Sequence, residues 1–235
     1  MKEILLVAAT FGETQLIRKE LFGTESETPF LQKEENGQTF SLMHTGIGMV
    51  NTAFHLGSYL SHHEPELMIN FGIAGSFEPH ISLGEVVEIR EDIFGEMGAN
   101  SPRGYLDMEK LGFSIMEKNG QRYFNRLSNP FQWPHSLKSC KGITVNEVSG
   151  IASQIAFRQF KWEADVESME SAAFFQAALW FDIPFLAFRS ISNYVEPRDK
   201  SKWKIGLAIN NMEVWLLNQI RDRAFNSIGK FDEIS

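Results

Sequence analysis

Short apolar runs alternate along the chain with segments whose apolar residues recur at helical spacing. The runs are rich in isoleucine, valine and phenylalanine and predict buried strands at residues 2–9, 39–45, 66–71, 84–91, 143–148 and 184–191. The segments with helical spacing predict helices at residues 13–21, 50–61, 151–160, 168–181 and 203–223. This alternation indicates an α/β fold, with a mostly parallel or mixed sheet covered by helices on both faces.

Residues 98–139 depart from this pattern. They contain Pro102, Pro130 and Pro134, many polar residues and little periodicity. We interpret them as an irregular excursion within a single domain that spans residues 1–235, and long excursions of this kind often form lids or subunit contacts.

Composition and charge narrow the class of protein. Hydrophobic residues make up 43% and charged residues 22% of the 235 residues, which is ordinary for a globular protein. The formal net charge of −8 argues against a general nucleic-acid binder, which would carry a basic footprint. Cys140 is the only cysteine, and the longest apolar run, residues 4–9, is too short to span a membrane. We therefore expect a soluble, cytoplasmic enzyme or small-molecule binder.

Several common sites are absent from the sequence. Gly46-Ile47-Gly48 resembles half of a dinucleotide fingerprint, but Asn51 stands where the third glycine is needed. Neither a P-loop nor a GxSxG motif occurs, and none of the six histidines forms a His-x-x-x-His pair. We therefore expect no nicotinamide cofactor and no zinc site.

Polar residues that directly follow predicted strands are the candidates for chemistry, because ligands of open α/β sheets bind beyond the carboxyl ends of the strands. Glu13 follows the first strand. It fits a capping box with Thr10 at the start of a helix, and it also fits a general base that acts on water.

Three further polar residues fall near predicted strand or helix ends. Glu170 opens an apolar helix, either to complement the helix dipole or to accept hydrogen bonds from sugar hydroxyls. Asn193 closes the last predicted strand, where a turn residue is also expected. Arg189 lies among apolar neighbours in that strand and needs a partner if buried, which indicates an ionic network close to a polar site.

Five segments occur in the order typical of the nucleoside phosphorylase/nucleosidase superfamily, and the chain resembles this family from residue 3 to about residue 217. The segments are residues 4–13, 45–48, 70–76, 169–173 and 189–193. The resemblance implies a three-layer α/β/α sandwich with a central mixed sheet. It also implies a small-molecule purine nucleoside as substrate, a homodimer or larger homo-oligomer, and neither a metal nor another cofactor.

Within the superfamily the chain is most similar to nucleosidases that cleave futalosine, on residues 69–77 and 190–199. This resemblance implies hydrolysis to hypoxanthine and dehypoxanthine futalosine in the futalosine route to menaquinone. It makes Glu13 the base that activates water and places Asn193 at the purine. The substrate-binding residues that we assign from it are Glu170, Met169, Ile73, Ala74, Gly75, Arg189, Ser192 and Trp203.

Asn193 separates this interpretation from its nearest alternative. Similar nucleosidases that act on methylthioadenosine and S-adenosylhomocysteine carry Asp at this position. The amide NH₂ of Asn can donate to N7 or O6 of a departing hypoxanthine, which favours a 6-oxopurine. Trp203 lies ten residues further on, where adenine-cleaving relatives keep a phenylalanine. It is therefore a candidate for stacking on the base, or else a core or interface aromatic.

The remaining alternatives concern the nucleophile and catalysis itself. A phosphorolytic enzyme needs arginines for phosphate, but Glu13 is negative and the first nearby arginine is Arg18, so water is favoured. A nucleoside-binding protein without catalysis is the alternative from another class. Futalosine also bears a benzoate-type carboxylate. The basic residues around Trp203 that are candidates to meet it are Arg198, Lys200 and Lys202.

Overall fold

The computed structural model describes residues 2–35, 37–131 and 133–227 and contains one mixed sheet of nine strands with two small hairpins. The strands are β1 (Lys2–Ala8), β2 (Phe30–Glu35), β3 (Gln38–His44), β4 (Leu67–Ser76), β5 (Val86–Phe94), β6 (Gly98–Ser101), β7 (Gly104–Asp107), β8 (Met116–Lys118), β9 (Gln121–Tyr123), β10 (Arg126–Ser128), β11 (Lys138–Thr144), β12 (Val166–Ser168) and β13 (Phe185–Tyr194). The α-helices are α1 (Gln15–Glu20), α2 (Met49–Leu60), α3 (Met108–Leu111), α4 (Ala152–Trp162), α5 (Ser171–Trp180) and α6 (Ile205–Arg221). Short 3₁₀ helices occupy Phe11–Glu13, Lys200–Lys202 and Ala224–Ser227.

The central strands bring the candidate residues together at their carboxyl ends. The strand order is β10-β5-β11-β12-β4-β1-β3-β2, and β13 pairs with both β4 and β5. Because β1 and β13 both run parallel to β4, the carboxyl ends of these three strands lie on the same side. Glu13 follows β1, and Asn193 lies near the end of β13.

Alternate residues of β1 face two separate hydrophobic cores. Leu5 and Val7 pack into the core shared with α2 and α5. Ile4 and Leu6 pack into the core shared with α1 and α6. Helices therefore cover both faces of the sheet, and the predicted α/β/α sandwich with a central mixed sheet is confirmed.

Strand bounds differ from the prediction at both central strands. β4 continues to Ser76 and β13 continues to Tyr194, whereas we predicted strands that end at residues 71 and 191. The two strands pair with each other up to Ser76 and Tyr194, and this pairing satisfies their backbone hydrogen bonds. A glycine-rich sequence alone does not indicate such pairing. Conversely, α5 begins at Ser171 instead of residue 168, because residues 166–168 pair with β11 and β4 as β12.

The excursion at residues 98–139 is more regular than predicted. It contains the β6–β7 and β8–β9 hairpins, the short helix α3, and β10, which pairs antiparallel with β5 in the main sheet. These strands are three or four residues long, too short for a hydrophobic period to emerge. Within the described ranges, no helix combines the length and apolar character needed to cross a membrane.

Candidate active site

Glu13 is held beyond the carboxyl end of β1 by the predicted contacts with Thr10 and by a backbone contact with β4. Its Oε2 accepts hydrogen bonds from the Thr10 N–H at 3.0 Å and the Thr10 hydroxyl at 2.9 Å. Its Oε1 accepts from the backbone N–H of Ile73 in β4 at 3.3 Å. The cap therefore fixes one carboxylate oxygen and directs the other towards the central strand.

Gly72 allows β4 to approach this carboxylate. A Cβ atom at position 72 would lie 2.7 Å from Oε1 of Glu13, closer than real Cβ contacts occur. The glycine in this strand is thus required by the side chain beside it, and any larger residue must displace that side chain.

Glu170 does not cap its own helix. It is the residue before α5, with φ −128° and ψ −33°, and its side chain makes no capping hydrogen bond to that helix. Instead its carboxylate accepts from the N–H of Gly48, at the start of α2, at 2.9 Å, and from the N–H of Met169 at 3.3 Å. The carboxylate of Glu170 thus binds the first turn of α2, where backbone N–H groups lack partners within the helix.

Arg189 lies buried behind the two carboxylates, with 1% of its surface exposed. Its Nη2 donates to Oδ1 of Asn70 at 2.5 Å and to the hydroxyl of Ser171 at 2.6 Å, and Nη1 donates to the Phe188 carbonyl at 2.8 Å. We predicted an ionic network around a buried Arg189; the arginine is buried and fully engaged, but the three partners described here are neutral, so the network is one of hydrogen bonds. Arg189 is too deeply buried to line the open part of the site.

Burial dominates the electrostatics of Glu13. Desolvation raises the pKa of its carboxyl group, and the neighbouring charge of Glu170 raises that pKa further. Hydrogen bonds from Thr10 and the positive charge of Arg189 act in the opposite direction. A carboxylate with a raised pKa is a stronger base, which suits proton abstraction from water near neutral pH.

Asn193 lies in β13 at an irregularity in the pairing with β4, opposite Gly75. The Ser192 hydroxyl donates to Oδ1 of Asn193 at 2.8 Å, and Nδ2 donates to the Tyr194 carbonyl at 3.0 Å. Because a backbone carbonyl can only accept, this contact sets the orientation of the amide. The second N–H of Nδ2 makes no other described contact and can serve a ligand.

Glu13 and Asn193 reach neighbouring positions of one strand. Glu13 contacts Ile73, and a Cβ at Gly75 would lie 3.1 Å from Nδ2 of Asn193. Two residues of a strand span about 7 Å, so a molecule of nucleoside size can touch both groups. Ala74, between these positions, is buried, whereas Ile73 and Met169 are partly exposed.

Trp203 lies beside the end of β13, because the N–H of Lys204 donates to the Ser192 carbonyl at 2.7 Å. Its ring is partly exposed and carries the guanidinium of Arg198 at 5.3 Å from the ring centroid. Lys202 is engaged in an ion pair with Glu196 at 2.9 Å. Of the basic residues near Trp203, Arg198 is thus the one that stacks on the ring.

Sequence reasoning missed Asn70, Ser171 and Gly72. Asn70 and Ser171 bind Arg189, and Gly72 makes room for Glu13. Asn70 was detectable as a polar residue inside an apolar run. The role of Gly72 was not, because it depends on which side chain packs against its Cα. Across the described ranges, no group of three or more His, Cys, Asp or Glu residues has the arrangement of a metal site.

Comparison with known proteins gives two kinds of relative. The phosphorylase superfamily model matches residues 3–137 and 144–220. Futalosine hydrolase from Thermus thermophilus is 31% identical over 202 residues, which cover 80% of this chain and 88% of that protein. 5′-Methylthioadenosine/S-adenosylhomocysteine nucleosidase from Bacillus thuringiensis is 26% identical over 200 residues, covering 81% and 85%.

Solved structures agree on the fold. The 5′-methylthioadenosine/S-adenosylhomocysteine nucleosidase from Neisseria meningitidis, in complex with methylthio-immucillin-A, aligns with a TM-score of 0.75 at 17% identity, covering 94% of this chain and 100% of that one. Futalosine hydrolase from Helicobacter pylori aligns with a TM-score of 0.71 at 14% identity, covering 94% and 98%. At these identities the likeness establishes the architecture alone.

Proposed function

The chain belongs to the phosphorylase superfamily, and from this premise we propose that it is a purine nucleosidase that hydrolyses the N-ribosidic bond of futalosine. The products are hypoxanthine and dehypoxanthine futalosine, which places the reaction in the futalosine route to menaquinone. The observation that carries the proposal is the arrangement of Glu13, Glu170 and Asn193 around one edge of the sheet. We assign this chemistry to one domain formed by the whole chain.

Hydrolysis of an N-ribosidic bond makes three demands on these residues. A base must activate water below the anomeric carbon as an oxocarbenium-like state forms, and Glu13 takes this role. Acceptors must hold the ribose hydroxyls, a role that we assign to the carboxylate of Glu170, with Met169 packing against the sugar. A donor must stabilise the negative charge on the leaving base, and the remaining N–H of Asn193 supplies it.

The fixed amide of Asn193 supports a 6-oxopurine over adenine. One N–H of its NH₂ remains as a donor beside the contact with the Tyr194 carbonyl, and its oxygen accepts from Ser192. N7 and O6 of hypoxanthine are both acceptors, whereas the 6-amino group of adenine needs an acceptor. This contact favours futalosine over methylthioadenosine, the substrate type named for other relatives of the chain.

The arginines near Glu13 support water over phosphate as the nucleophile. Arg18 is buried, and its guanidinium donates to the carbonyls of Glu25 at 2.7 Å, Ser26 at 2.8 Å and Phe11 at 3.3 Å. Arg189 is bonded to neutral groups inside the core. Because both guanidinium groups are buried, neither is presented to a ligand as the pair of donors with which arginine clamps phosphate.

The carboxylate of futalosine meets Arg198 in this proposal. Arg198 is exposed, stacked on Trp203, and close to the end of β13. Arg198→Glu is expected to raise the KM for futalosine several-fold through charge reversal and to leave cleavage of inosine, which lacks the carboxylate, unchanged. Equal losses for both substrates would contradict this assignment.

We also propose that the protein is a homo-oligomer that associates through α2. Val50 and Phe54 lie one turn apart on this helix and are 73% and 70% exposed, and Ile47 precedes them at 55%. Apolar side chains exposed together favour association. Phe54→Asp is expected to shift the protein to monomer in sedimentation, and a wild-type monomer would disprove the proposal.

The deciding experiment is base release by the purified protein without phosphate. Futalosine, methylthioadenosine and inosine are supplied separately, and released bases are separated by chromatography. We expect hypoxanthine from futalosine at the highest kcat/KM, with no change when phosphate is added. A ribose 1-phosphate type product would refute hydrolysis, and preferred cleavage of methylthioadenosine would identify the other nucleosidase.

A further inference from the structure

One fully buried carboxyl group has no part in the chemistry described so far. Asp92, in β5, is 0% exposed. Its Oδ1 accepts from the Thr144 hydroxyl at 2.7 Å and from the Ile93 N–H at 2.8 Å. Its Oδ2 has no hydrogen-bond partner within the described ranges and faces Gly142, where a Cβ would lie 2.1 Å away. Such a group costs stability, so its presence needs a reason.

Thr144 connects this carboxyl to the candidate active site. Its hydroxyl donates its single hydrogen to Asp92 and accepts from the backbone N–H of Ala172 at 2.9 Å. Ala172 is the second residue of α5, the helix that begins directly after Glu170. Backbone N–H groups in a first helical turn lack partners within the helix, and here Thr144 satisfies one of them.

The chain on both sides of Glu170 is fixed in this way. Before it, the Ser168 carbonyl accepts from the Val145 N–H at 3.0 Å. After it, the Ser171 hydroxyl accepts from Arg189 at 2.6 Å. The hydrogen bond from the Ala172 N–H to Thr144 is a third restraint. It depends on the direction in which the Thr144 hydroxyl hydrogen points.

We propose that Asp92 is a positioning residue for nucleoside hydrolysis: by fixing the Thr144 hydroxyl it holds the first turn of α5, and with it the carboxylate of Glu170, in the geometry that binds ribose. This inference rests on the proposed nucleosidase function. It assigns Asp92 no contact with the substrate.

The direction of the Thr144 hydroxyl is the reason that an acceptor is needed at position 92. Without an acceptor at position 92, the Thr144 hydroxyl hydrogen can rotate towards the Ala172 N–H. Two donors then face each other, and the hydrogen bond is replaced by a repulsion. Asparagine keeps an oxygen in place of Oδ1 and is therefore the conservative variant. Leucine keeps a similar volume but removes the acceptor.

The test measures recognition of ribose in addition to activity. Inosine and 2′-deoxyinosine are used as competitors of futalosine hydrolysis. The inhibition constant of 2′-deoxyinosine divided by that of inosine reports the hydroxyl contact of Glu170. Asp92→Leu and Thr144→Val are expected to lower this ratio about tenfold, the effect of weakening one hydrogen bond to a charged group. Asp92→Asn and Thr144→Ser are expected to retain it, and melting temperatures identify variants that have not folded.

The outcomes separate this inference from the function on which it rests. An unchanged ratio in folded Thr144→Val would overturn the positioning role even if the variant is less stable, because a purely structural group affects stability without changing the preference for ribose. A tenfold lower ratio in Asp92→Asn would also overturn the positioning role, because this variant keeps the acceptor. If the wild type releases no hypoxanthine from futalosine, the proposed function fails instead.

Discussion

Arg158 and Arg189 are both buried, with 4% and 1% of their surfaces exposed, but their surroundings differ. Arg158 touches two carboxylates directly, Glu167 at 3.1 Å and Glu96 at 2.5 Å. Arg189 donates only to neutral groups, and the charges of Glu13, Glu170 and Asp92 act on it without an ion-pair contact.

The contrast separates a structural cluster from a functional one. The carboxylate of Glu167 also accepts from the N–H and hydroxyl of Ser149, so both of its oxygens help to hold the segment after β11. Glu13 and Glu170 stay near a positive charge that does not occupy their oxygens. A buried cation that acts from a distance forms no ion pair with either carboxylate, which suits the contacts with water and ribose that we propose for them.

The largest expected effect comes from changing one carboxylate in each cluster. Glu13→Gln is expected to lower kcat for futalosine by roughly 10²- to 10⁴-fold, because the amide cannot accept a proton from water. Glu167→Gln is expected to keep most of its kcat and to lose about 1–3 kcal/mol of unfolding free energy. Steady-state kinetics and urea titration check the pair. Similar kinetic losses in both variants would remove the distinction between the clusters.

The next effect concerns stability. Arg158→Met leaves Glu167 buried without its countercharge and is expected to lower the free energy of unfolding by about 3–5 kcal/mol. Arg221→Met is the control, because its ion pair with Glu20 is 59% and 41% exposed and contributes at most about 1 kcal/mol. Urea unfolding of both variants measures the difference. A loss for Arg158→Met no larger than the control would show that the cluster is not structural.

The functional cluster is expected to carry a pH dependence of stability. Burial raises the pKa of Asp92 to about 7, against the opposing hydrogen bond from Thr144 and charge of Arg189. The folded state therefore holds this proton at pH values where the unfolded chain has released it, so the contribution of Asp92 to stability falls as pH rises from about 4 to 7. Asp92→Asn removes this contribution to the pH dependence.

Thermal melting of the wild type and Asp92→Asn between pH 5 and 8 measures this contribution. The variant is expected to gain roughly 2–3 kcal/mol relative to the wild type across that interval. Parallel pH profiles for the two proteins would mean that Asp92 does not titrate in this range.

The smallest of these effects tests how closely β4 approaches Glu13. Gly72→Ala places a Cβ 2.7 Å from the carboxylate oxygen and is expected to lower kcat by about 10- to 100-fold through displacement of the base. Gly57→Ala in α2, where nothing lies within 4 Å of the added Cβ, is expected to keep full activity and to gain up to about 1 kcal/mol of stability. Wild-type kinetics for Gly72→Ala would show that the carboxylate relocates without cost.

The sequence predicted the layers of the fold better than the residues that support the site. The alternation of apolar runs and helical segments predicted a sheet covered by helices on both faces, and the family resemblance implied the three-layer sandwich. The apolar setting of Arg189 predicted that it needs buried partners, although not that these partners are neutral. Asp92 was not detectable, because β5 also contains Glu88 and Glu91, and nothing local indicates which acidic side chain faces the core. Similarly, Thr144 becomes relevant only when β11 is placed against the start of α5.

The hydrogen bond from Gly48 to Glu170 has a consequence for enzyme concentration. It joins the carboxylate that we propose to bind the sugar to the first turn of α2, whose exposed face is the surface proposed to meet a second copy. If α2 is ordered by that contact, ribose binding and association are thermodynamically linked, and each strengthens the other by the same factor. Specific activity would then fall on dilution, and saturating nucleoside would restore it.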